Sequence, residues 1–405
     1  MTPPGRMTHP QMQRARIAVT VLFFTNGAIF ANVLPRYPMV KDELAVNAAT
    51  FGALVACFPA GAMIAGLAAG RVIRRYSSAS TAVVGTYIVA AALAGAALAL
   101  QVHPLLFGAA MFLGGAADAI VDVAQNAHGM RVQRHYGRSI INGFHAAWSA
   151  GAVIGGLCGS AAQTAGLPLV AHLAISGIIF AGAALAVRRW ALPGLDTDEV
   201  TLDDAAPARA AASPRLSQSA GTALAALAVV ALAGTFVEDA GNTWSAIYMR
   251  DVALAPGHLT GLAFVAMVGA QFVGRLTGDR LTDRFGARAV AVVGGILIAA
   301  GFIPMLAWPH AASTIAAFTL AGFGCATLVP AAFDAADRLP GLPVGTGLTL
   351  IGWLMRLAFL AGPPVIGWIA DAVSLRAGLA IIPMGALALL FACRVLPGRH
   401  GRLTP

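Results

Sequence analysis

The sequence predicts an all-α integral membrane protein of twelve transmembrane helices, arranged as two pseudo-symmetric six-helix bundles. Three observations lead there. Of its 405 residues, 58% are hydrophobic and only 11% charged, whereas a soluble globular domain carries roughly a quarter charged residues. The apolar residues fall in repeated runs close to the ~20 that a helix needs to cross a bilayer. Finally, one charged hairpin occurs twice, half a chain apart.

The later copy, GRLTGDRLTDRFGAR from Gly274 to Arg288, gathers Asp279, Arg280, Asp283, Arg284 and Arg288 between Gly274, Gly278 and Gly286. A hairpin between membrane helices needs small residues where the helices cross and keeps its charges out of hydrocarbon. The earlier copy, AGLAAGRVIRRYS from Ala65 to Ser77, overlays Gly274 to Gly286 without a gap. Gly66 falls on Arg275, Gly70 on Asp279, Arg71 on Arg280, Arg75 on Arg284 and Tyr76 on Phe285. Gly52 matches Gly261 at the same offset. Such a pair of hairpins marks a duplicated membrane protein.

In chain order the spans are expected at 16–34, 48–73, 80–101, 104–127, 140–165 and 167–187, then 220–249, 260–281, 287–306, 312–335, 345–370 and 375–395. They divide the chain into a first bundle (1–190), a linker (191–219) and a second bundle (220–405). The linker holds Asp196, Asp198, Glu199, Asp203 and Asp204 before an Ala/Pro/Ser/Arg stretch, and reads as a solvated spacer. The first apolar run follows a polar, basic start with no clear small-residue cleavage site, so it reads as a retained helix.

Basic residues give the orientation. Arg6, Arg14, Arg16, Arg71, Arg74, Arg75, Arg131, Arg134, Arg138, Arg188, Arg189, Arg209, Arg215, Arg280, Arg284, Arg288, Arg338, Arg394, Arg399 and Arg402 fall on one side. Arg36, Lys41, Arg250 and Arg376 fall on the other. Both termini are therefore expected in the cytoplasm, with the protein multi-pass in the cell inner membrane. The net charge of +9 reflects this asymmetry; no aromatic–basic interleaving points to nucleic acid. Cys57, Cys158, Cys325 and Cys393 stand singly in apolar runs without a CxxC spacing, so they read as small core residues and not as metal or disulfide sites. No phosphate-binding GxxxxGK occurs, which leaves ATP-driven pumping without support. No cofactor is expected.

Ionisable side chains at membrane depth cost several kcal/mol unless paired or wetted, so each is a functional candidate. In the first helix Asn26 and Gly27 stand near mid-membrane. In the fourth, Asp118, Asp122 and Asn126 share a face by their spacing of four, with Asp118 ~21 Å and Asp122 ~27 Å along the helix from Pro104. Two carboxylates one turn apart in low dielectric should not both ionise, which suits a proton carrier. Asp122 fits a gate or helix-end contact as well. The fifth helix opens with Asn142, Gly143, Phe144 and His145, continues to Trp148 and Ser149, and then packs through Gly151, Gly155 and Gly156. His145 lies at a depth comparable to the two acids, as a proton partner or as a structural histidine.

The seventh helix is the densest, with Glu238, Asp239, Asn242 and Trp244 in FVEDAGNTWSAIYM. Glu238, ~27 Å along from Ala220, shares a face with Asn242 and not with Asp239. Gly241 permits the bend with which transporter helices build binding sites. Gln271 in the eighth helix can line the same cavity or bridge helices. In the eleventh, Arg356 lies ~16 Å from the inner end with Trp353 nearly a turn before it. A mid-membrane Arg must face an acid, an anion or water, and Glu238 or Asp239 is its natural partner. Pro363 and Pro364 mark a kink beyond it.

Glycine, acid, Arg and a second basic residue between helices two and three, repeated between eight and nine, resemble motif A of the major facilitator superfamily. Asp279 stands where that motif has its acid, and Gly70 departs from it in the first copy. In that family the motif is a cytoplasmic gate latch, which implies gating roles for Asp279, Arg280 and Arg284, and for Arg71 and Arg75 in the earlier copy. FFTNGAIFANVLPRYPMVKDEL from Phe23, DVAQNAHGMRVQRHYGRSIINGFHAAWSAG from Asp122, EDAGNTWSAIYMRD from Glu238 and FLAGPPVIGWIADAVSLR from Phe359 look like the MosC/YbjJ-type branch. That branch is associated with sugar or inositol-derivative permeases.

The expected function is secondary transport of a small polar, sugar- or inositol-like solute by alternating access, coupled to protons. Asn26, Asn126, His145, Trp148, Glu238, Asn242, Trp244, Gln271, Trp353 and Arg356 are the candidate substrate contacts. Asp118, Asp122, Glu238 and Asp239 are the candidate proton carriers. The partners are then the solute, protons and the lipid bilayer, with a monomer as the family default. Proton-driven export of drugs or metabolites is the alternative within transport, opposed by the polar cavity. A membrane sensor or scaffold that has lost transport is the alternative from another class, kept open by Gly70. An intramembrane enzyme has no support, because Asp118, Asp122 and His145 lack a nucleophile or fuller ligand set.

Overall fold

A chain this apolar satisfies its backbone in lipid by forming helices, and the computed structural model is helical throughout, with no strand among the described residues. It describes residues 9–136, 140–195, 218–339 and 345–398. Most of the expected linker lies outside them, as do Arg6, Arg138, Arg209, Arg215, Arg399 and Arg402.

The helices are α1 (His9–Ala31), α2 (Tyr37–Leu44), α3 (Ala48–Ala65), α4 (Ala69–Tyr76), α5 (Ser78–Ala99), α6 (Pro104–Tyr136), α7 (Ile141–Thr164) and α8 (Leu169–Arg188). There follow α9 (Gln218–Thr243), α10 (Ser245–Asp251), α11 (Leu262–Phe285), α12 (Ala287–Ala307), α13 (Ala311–Cys325), α14 (Leu328–Asp337), α15 (Thr346–Ala372), α16 (Leu375–Leu379) and α17 (Ile381–Ala392). Eleven stretches are long and apolar enough to cross a membrane. The predicted fifth span is also helical, as the 24-residue α7. It stands outside those eleven because Asn142, His145, Gln163 and its glycines dilute the apolar run.

Several predicted spans are interrupted. The second breaks into α3 and α4 at a 3-10 turn, Gly66–Ala68, where Gly66 weakens the α-helix. The seventh breaks at Trp244, three residues beyond Gly241, although Trp244 N–H still donates to the Ala240 carbonyl at 2.9 Å. The tenth breaks between α13 and α14, and the twelfth between α16 and α17. The connection after the first span, expected as a loop, contains α2, with Pro38 in its first turn as helix N-termini favour. Pro363 and Pro364 lie inside an uninterrupted α15.

The chain forms two compact units, one of Met1–Val33 and Cys57–Ala206, the other of Leu34–Ala56 and Pro207–Pro405. In the first, α1 packs on α6, α7 and α8, and α5 on α6 and α8. Its interior is small and aliphatic, as in the cluster of Ala18, Leu22, Ala82, Val83, Ala124 and Ala184. In the second, α9 packs on α13, α15 and α17, and α12 on α13 and α17. This is the same arrangement one repeat later.

The tightest crossings repeat too. A Cβ added to Gly115 would lie 1.9 Å from the Phe58 carbonyl oxygen, and one added to Gly322 would lie 2.2 Å from that of Met267. Without hydrophobic drive between helices in lipid, close backbone approach at small residues supplies the packing. The glycines of α7 do the same against α1, with Gly151 at the Phe24 carbonyl and Gly155 at that of Ala28.

Candidate functional site

In the first unit the close α1–α7 crossing brings three polar side chains together. Asn26 on α1 donates from Nδ2 to Asp118 Oδ1 on α6 at 2.7 Å. Its Oδ1 accepts from Trp148 Nε1 on α7 at 2.8 Å. A single amide therefore joins a carboxylate to an indole across three helices, and Gly27, packed against the Trp148 carbonyl, lets α1 come near enough. Asp122 shares the helix face of Asp118 but is exposed, and accepts from Asn126 Nδ2 at 3.1 Å. His145 is exposed as well, and its ring meets Phe23 edge-on at 5.2 Å.

In the second unit Glu238 on α9 accepts through Oε1 from two groups of α11, Gln271 Nε2 and Arg275 Nη2, the latter at 3.1 Å. Gln271 and Arg275 are four apart and so share a helix face. Gln271 is buried and also reaches Cys325 Sγ on α13 at 3.8 Å. The expected partnership of Arg356 with Glu238 is thus not what the fold makes. Arg275 occupies the Glu238 carboxylate, while the exposed Arg356 lies over the Trp353 ring with its guanidinium carbon 5.9 Å from the centroid. The signal for Arg275 was its spacing from Gln271 within an apolar run; choosing between two intramembrane arginines required the helix rotations.

Asp239 points away from Glu238, as their adjacency on a helix demands, and is buried. Its carboxylate lies against α15 where Gly362 has no side chain: a Cβ there would be 2.6 Å from Asp239 Oδ2. Trp244 is fully buried, its ring 6.1 Å from that of Phe51. Asn242 is half-buried.

The hairpin residues Arg71, Arg75, Asp279, Arg280 and Arg284 are all exposed. Arg75 lies over the Tyr76 ring at 5.5 Å, and Arg284 over the Phe285 ring at 5.2 Å, so the two copies make the same cation–π contact.

Sequence reasoning passed over three buried groups in the first unit. Gln125 donates to the Leu22 carbonyl at 2.9 Å. His172 Nε2 lies 2.9 Å from Asn32 Oδ1. His128 Nε2 accepts the Leu192 N–H at 3.2 Å, which makes Nδ1 the donor to Ser78 Oγ at 2.9 Å. A lone His or Gln in an apolar run carries no mark of its partner. Among the described residues, no group of three or more His, Cys, Asp or Glu side chains is placed to hold a metal ion.

No family model matches the chain. It is 28% identical to the membrane protein MosC of Rhizobium meliloti over 384 residues, 95% of this chain and 90% of that protein. It is 26% identical to an uncharacterised MFS-type transporter of Yersinia pestis over 383 residues, 93% of this chain and 92% of that one. Among solved structures, the nucleoside transporter NupG superimposes with a TM-score of 0.71 at 14% identity, covering 94% of this chain and 98% of NupG. A D-xylose–proton symporter does so with a TM-score of 0.70 at 14% identity, covering 98% and 100%. Interrupted spans, duplicated hairpins and twinned units thus coincide with those likenesses: the chain is a multi-pass membrane protein of the major facilitator fold and a relative of MosC.

Proposed function

We propose that the protein is a proton-coupled secondary transporter of a small hydroxylated solute, sugar- or inositol-like, working by alternating access in the cell inner membrane with both termini in the cytoplasm. The observation that carries this reading is the pair of carboxylate networks, Asn26–Asp118–Trp148 in one unit and Glu238–Gln271–Arg275 in the other. Ionisable groups are kept at membrane depth against a cost of several kcal/mol where a polar solute or proton must pass. Amide, carboxylate and indole N–H groups are the donors and acceptors that hydroxyl-rich solutes require. The name of the D-xylose–proton symporter among the structural neighbours supports a sugar-like solute and proton coupling, and the MFS-type transporter among the relatives supports transport.

Asp118 and Glu238 are the proposed proton carriers. In the first unit, Asn26 and Trp148 orient the carboxylate. In the second, Arg275 supplies a countercharge that holds Glu238 while it is ionised and is released when it is protonated.

The test places purified protein in liposomes around a pH-sensitive dye and adds sugars, inositols, nucleosides and organic cations in turn. Solute-dependent acidification with a polyol or sugar, lost in Asp118→Asn or Glu238→Gln, is the expected result. Proton movement with organic cations alone would replace this reading with drug export. Solute uptake without proton movement would remove the coupling.

A further inference from the structure

Helix α15 carries three stripes at helical spacing, and each meets different surroundings. Gly347, Ile351, Ala358, Gly362 and Ile366 are buried, the face that packs on α9 and α14. Asp239 lies against this stripe, at Gly362. Leu350, Leu354, Leu357, Val365 and Trp368 are exposed, an apolar stripe suited to lipid. The third stripe runs through Thr349, Trp353, Arg356, Pro363 and Gly367. Its outer part is covered within the same unit: a Cβ on Gly52 of α3 would be 2.3 Å from the Pro363 carbonyl oxygen, and one on Gly367 would be 2.3 Å from that of Ala48. Further in, Thr349, Trp353 and Arg356 are exposed.

Arg356 stands about 15 Å along α15 from Thr346 and is the one charged residue of that helix before Asp371. A charge at such a depth is costly unless it meets an opposite charge or water. The acids of α9 do not supply one. Glu238 accepts from Gln271 and Arg275, and Asp239 is buried on another face of α15. Among the described residues Arg356 has no hydrogen bond or ion pair; its contact is the Trp353 ring, with the guanidinium carbon 5.9 Å from the centroid.

This arrangement has a definite chemistry. A guanidinium over a ring keeps the N–H donors along its edge, and that planar fork matches a carboxylate through two parallel bonds. Trp353, 41% exposed, sets an apolar ring and an indole N–H beside it, which suits a solute with both C–H and hydroxyl groups. One unpaired cation balances one negative charge, as a carboxylate carries, and leaves a phosphate dianion only half neutralised.

We propose that Arg356 and Trp353 form a carboxylate subsite, and that the solute is a polyhydroxylated acid whose carboxylate is held by the Arg356 guanidinium. The inference rests on the transport reading for the hydroxylated solute and narrows it to one that carries a negative charge.

The experiment titrates purified, detergent-solubilised protein with matched acids and neutral counterparts, D-glucuronate against D-glucose and D-gluconate against sorbitol, with glucose 6-phosphate beside them. Unfolding midpoint and tryptophan fluorescence report binding. The parent is expected to bind at least one acid about tenfold or more tighter than its neutral counterpart, as bonds to a charged group allow. Arg356→Gln should bind both members of that pair alike, Arg356→Lys should keep part of the preference, and Trp353→Phe should weaken acid and neutral solute together. A parent that binds neither acid, or an Arg356→Gln variant that keeps the preference, would overturn the proposal. So would an Arg356→Gln variant that loses stability without losing the preference, which marks a structural arginine, or a parent that takes glucose 6-phosphate more tightly than both acids. Binding needs no gradient. Acid-selective binding without proton movement in liposomes would remove the coupled-transport reading and leave the subsite, whereas proton-coupled uptake of neutral sugars unchanged in Arg356→Gln would do the reverse.

Discussion

The two charged hairpins are copies of one design that have kept the same turn by different means. Each ends its helix in a residue of positive φ with extended ψ: Ser77 at 71° and 152° in the first, Gly286 at 85° and 150° in the second. Each such residue closes the preceding helix through its N–H, Ser77 onto the Ile73 carbonyl at 2.9 Å and Gly286 onto that of Thr282 at 2.8 Å. Glycine enters this region freely, whereas a side chain there is strained. Ser77 offsets the strain by capping the next helix, its Oγ accepting the Ser80 N–H at 3.3 Å. The helices leading in also differ. The second is continuous from Leu262 to Phe285, while the first breaks at Gly66–Ala68. The acid of the second copy, Asp279, is replaced by Gly70, where an added Cβ would meet only Arg74 Nη1 at 3.3 Å. Duplication thus preserved the backbone path, while the means of supporting it and the charge beside it drifted.

The largest expected effect tests whether the units are equivalent at their tightest crossings. Gly115→Val and Gly322→Val should each cost about 3 kcal/mol or more by overpacking against a carbonyl that cannot move aside, read as a fall in unfolding midpoint of the solubilised protein. A tolerant substitution in one unit only would break the equivalence. Next comes the turn itself. Gly286→Ser should destabilise by ~1–3 kcal/mol. The converse Ser77→Gly should stabilise by about 1 kcal/mol, because Gly at an N-cap gives up only a few tenths while the strain is relieved. Denaturant titrations of the pair would refute the strain account if both changes had the same sign.

Smaller still is the contact of the last turn, where Tyr76→Leu and Phe285→Leu should each lose ~0.5 kcal/mol of exposed cation–π attraction. The weakest effect is expected for Gly70→Asp. It restores the acid of the second copy beside only the flexible end of the Arg74 side chain, so the same titration should stay within about 0.5 kcal/mol of the parent. A larger loss there would mean that the first copy had been rebuilt around its glycine.

Much of the fold was legible because its signals are local. The twelve apolar runs, the duplicated hairpin and the close-packing face of Gly151 and Gly155 were all read from spacing. The interruptions were only partly legible. Gly241 signalled one of them, while the 3-10 turn at Gly66–Ala68 and the break before Pro330, in the first turn of α14, were not anticipated. The site was legible residue by residue but not in its pairings. Asp118 and Asp122 share a face by sequence, yet Asn26 and Trp148 gather around only the first. Arg356 was expected to face Glu238 or Asp239, whereas Arg275, not considered as a partner, is the cation at Glu238. Trp244 looked like a ring for a solute and lies instead fully buried against Phe51.

What the sequence by itself determined was the solvent each segment prefers and the period of its repeat. Hydrophobicity and turn chemistry act over a few residues, and a duplicated pattern is visible without coordinates. Tertiary structure decided which helix faces meet. That is why Arg275 holds Glu238 while Arg356 rests on Trp353. It is also why residues 34–56 lie in sequence within the first unit and pack with the second. Partner choice depends on helix rotation and on where glycines let backbones close to contact, and these are settled only when distant segments compete for the same place.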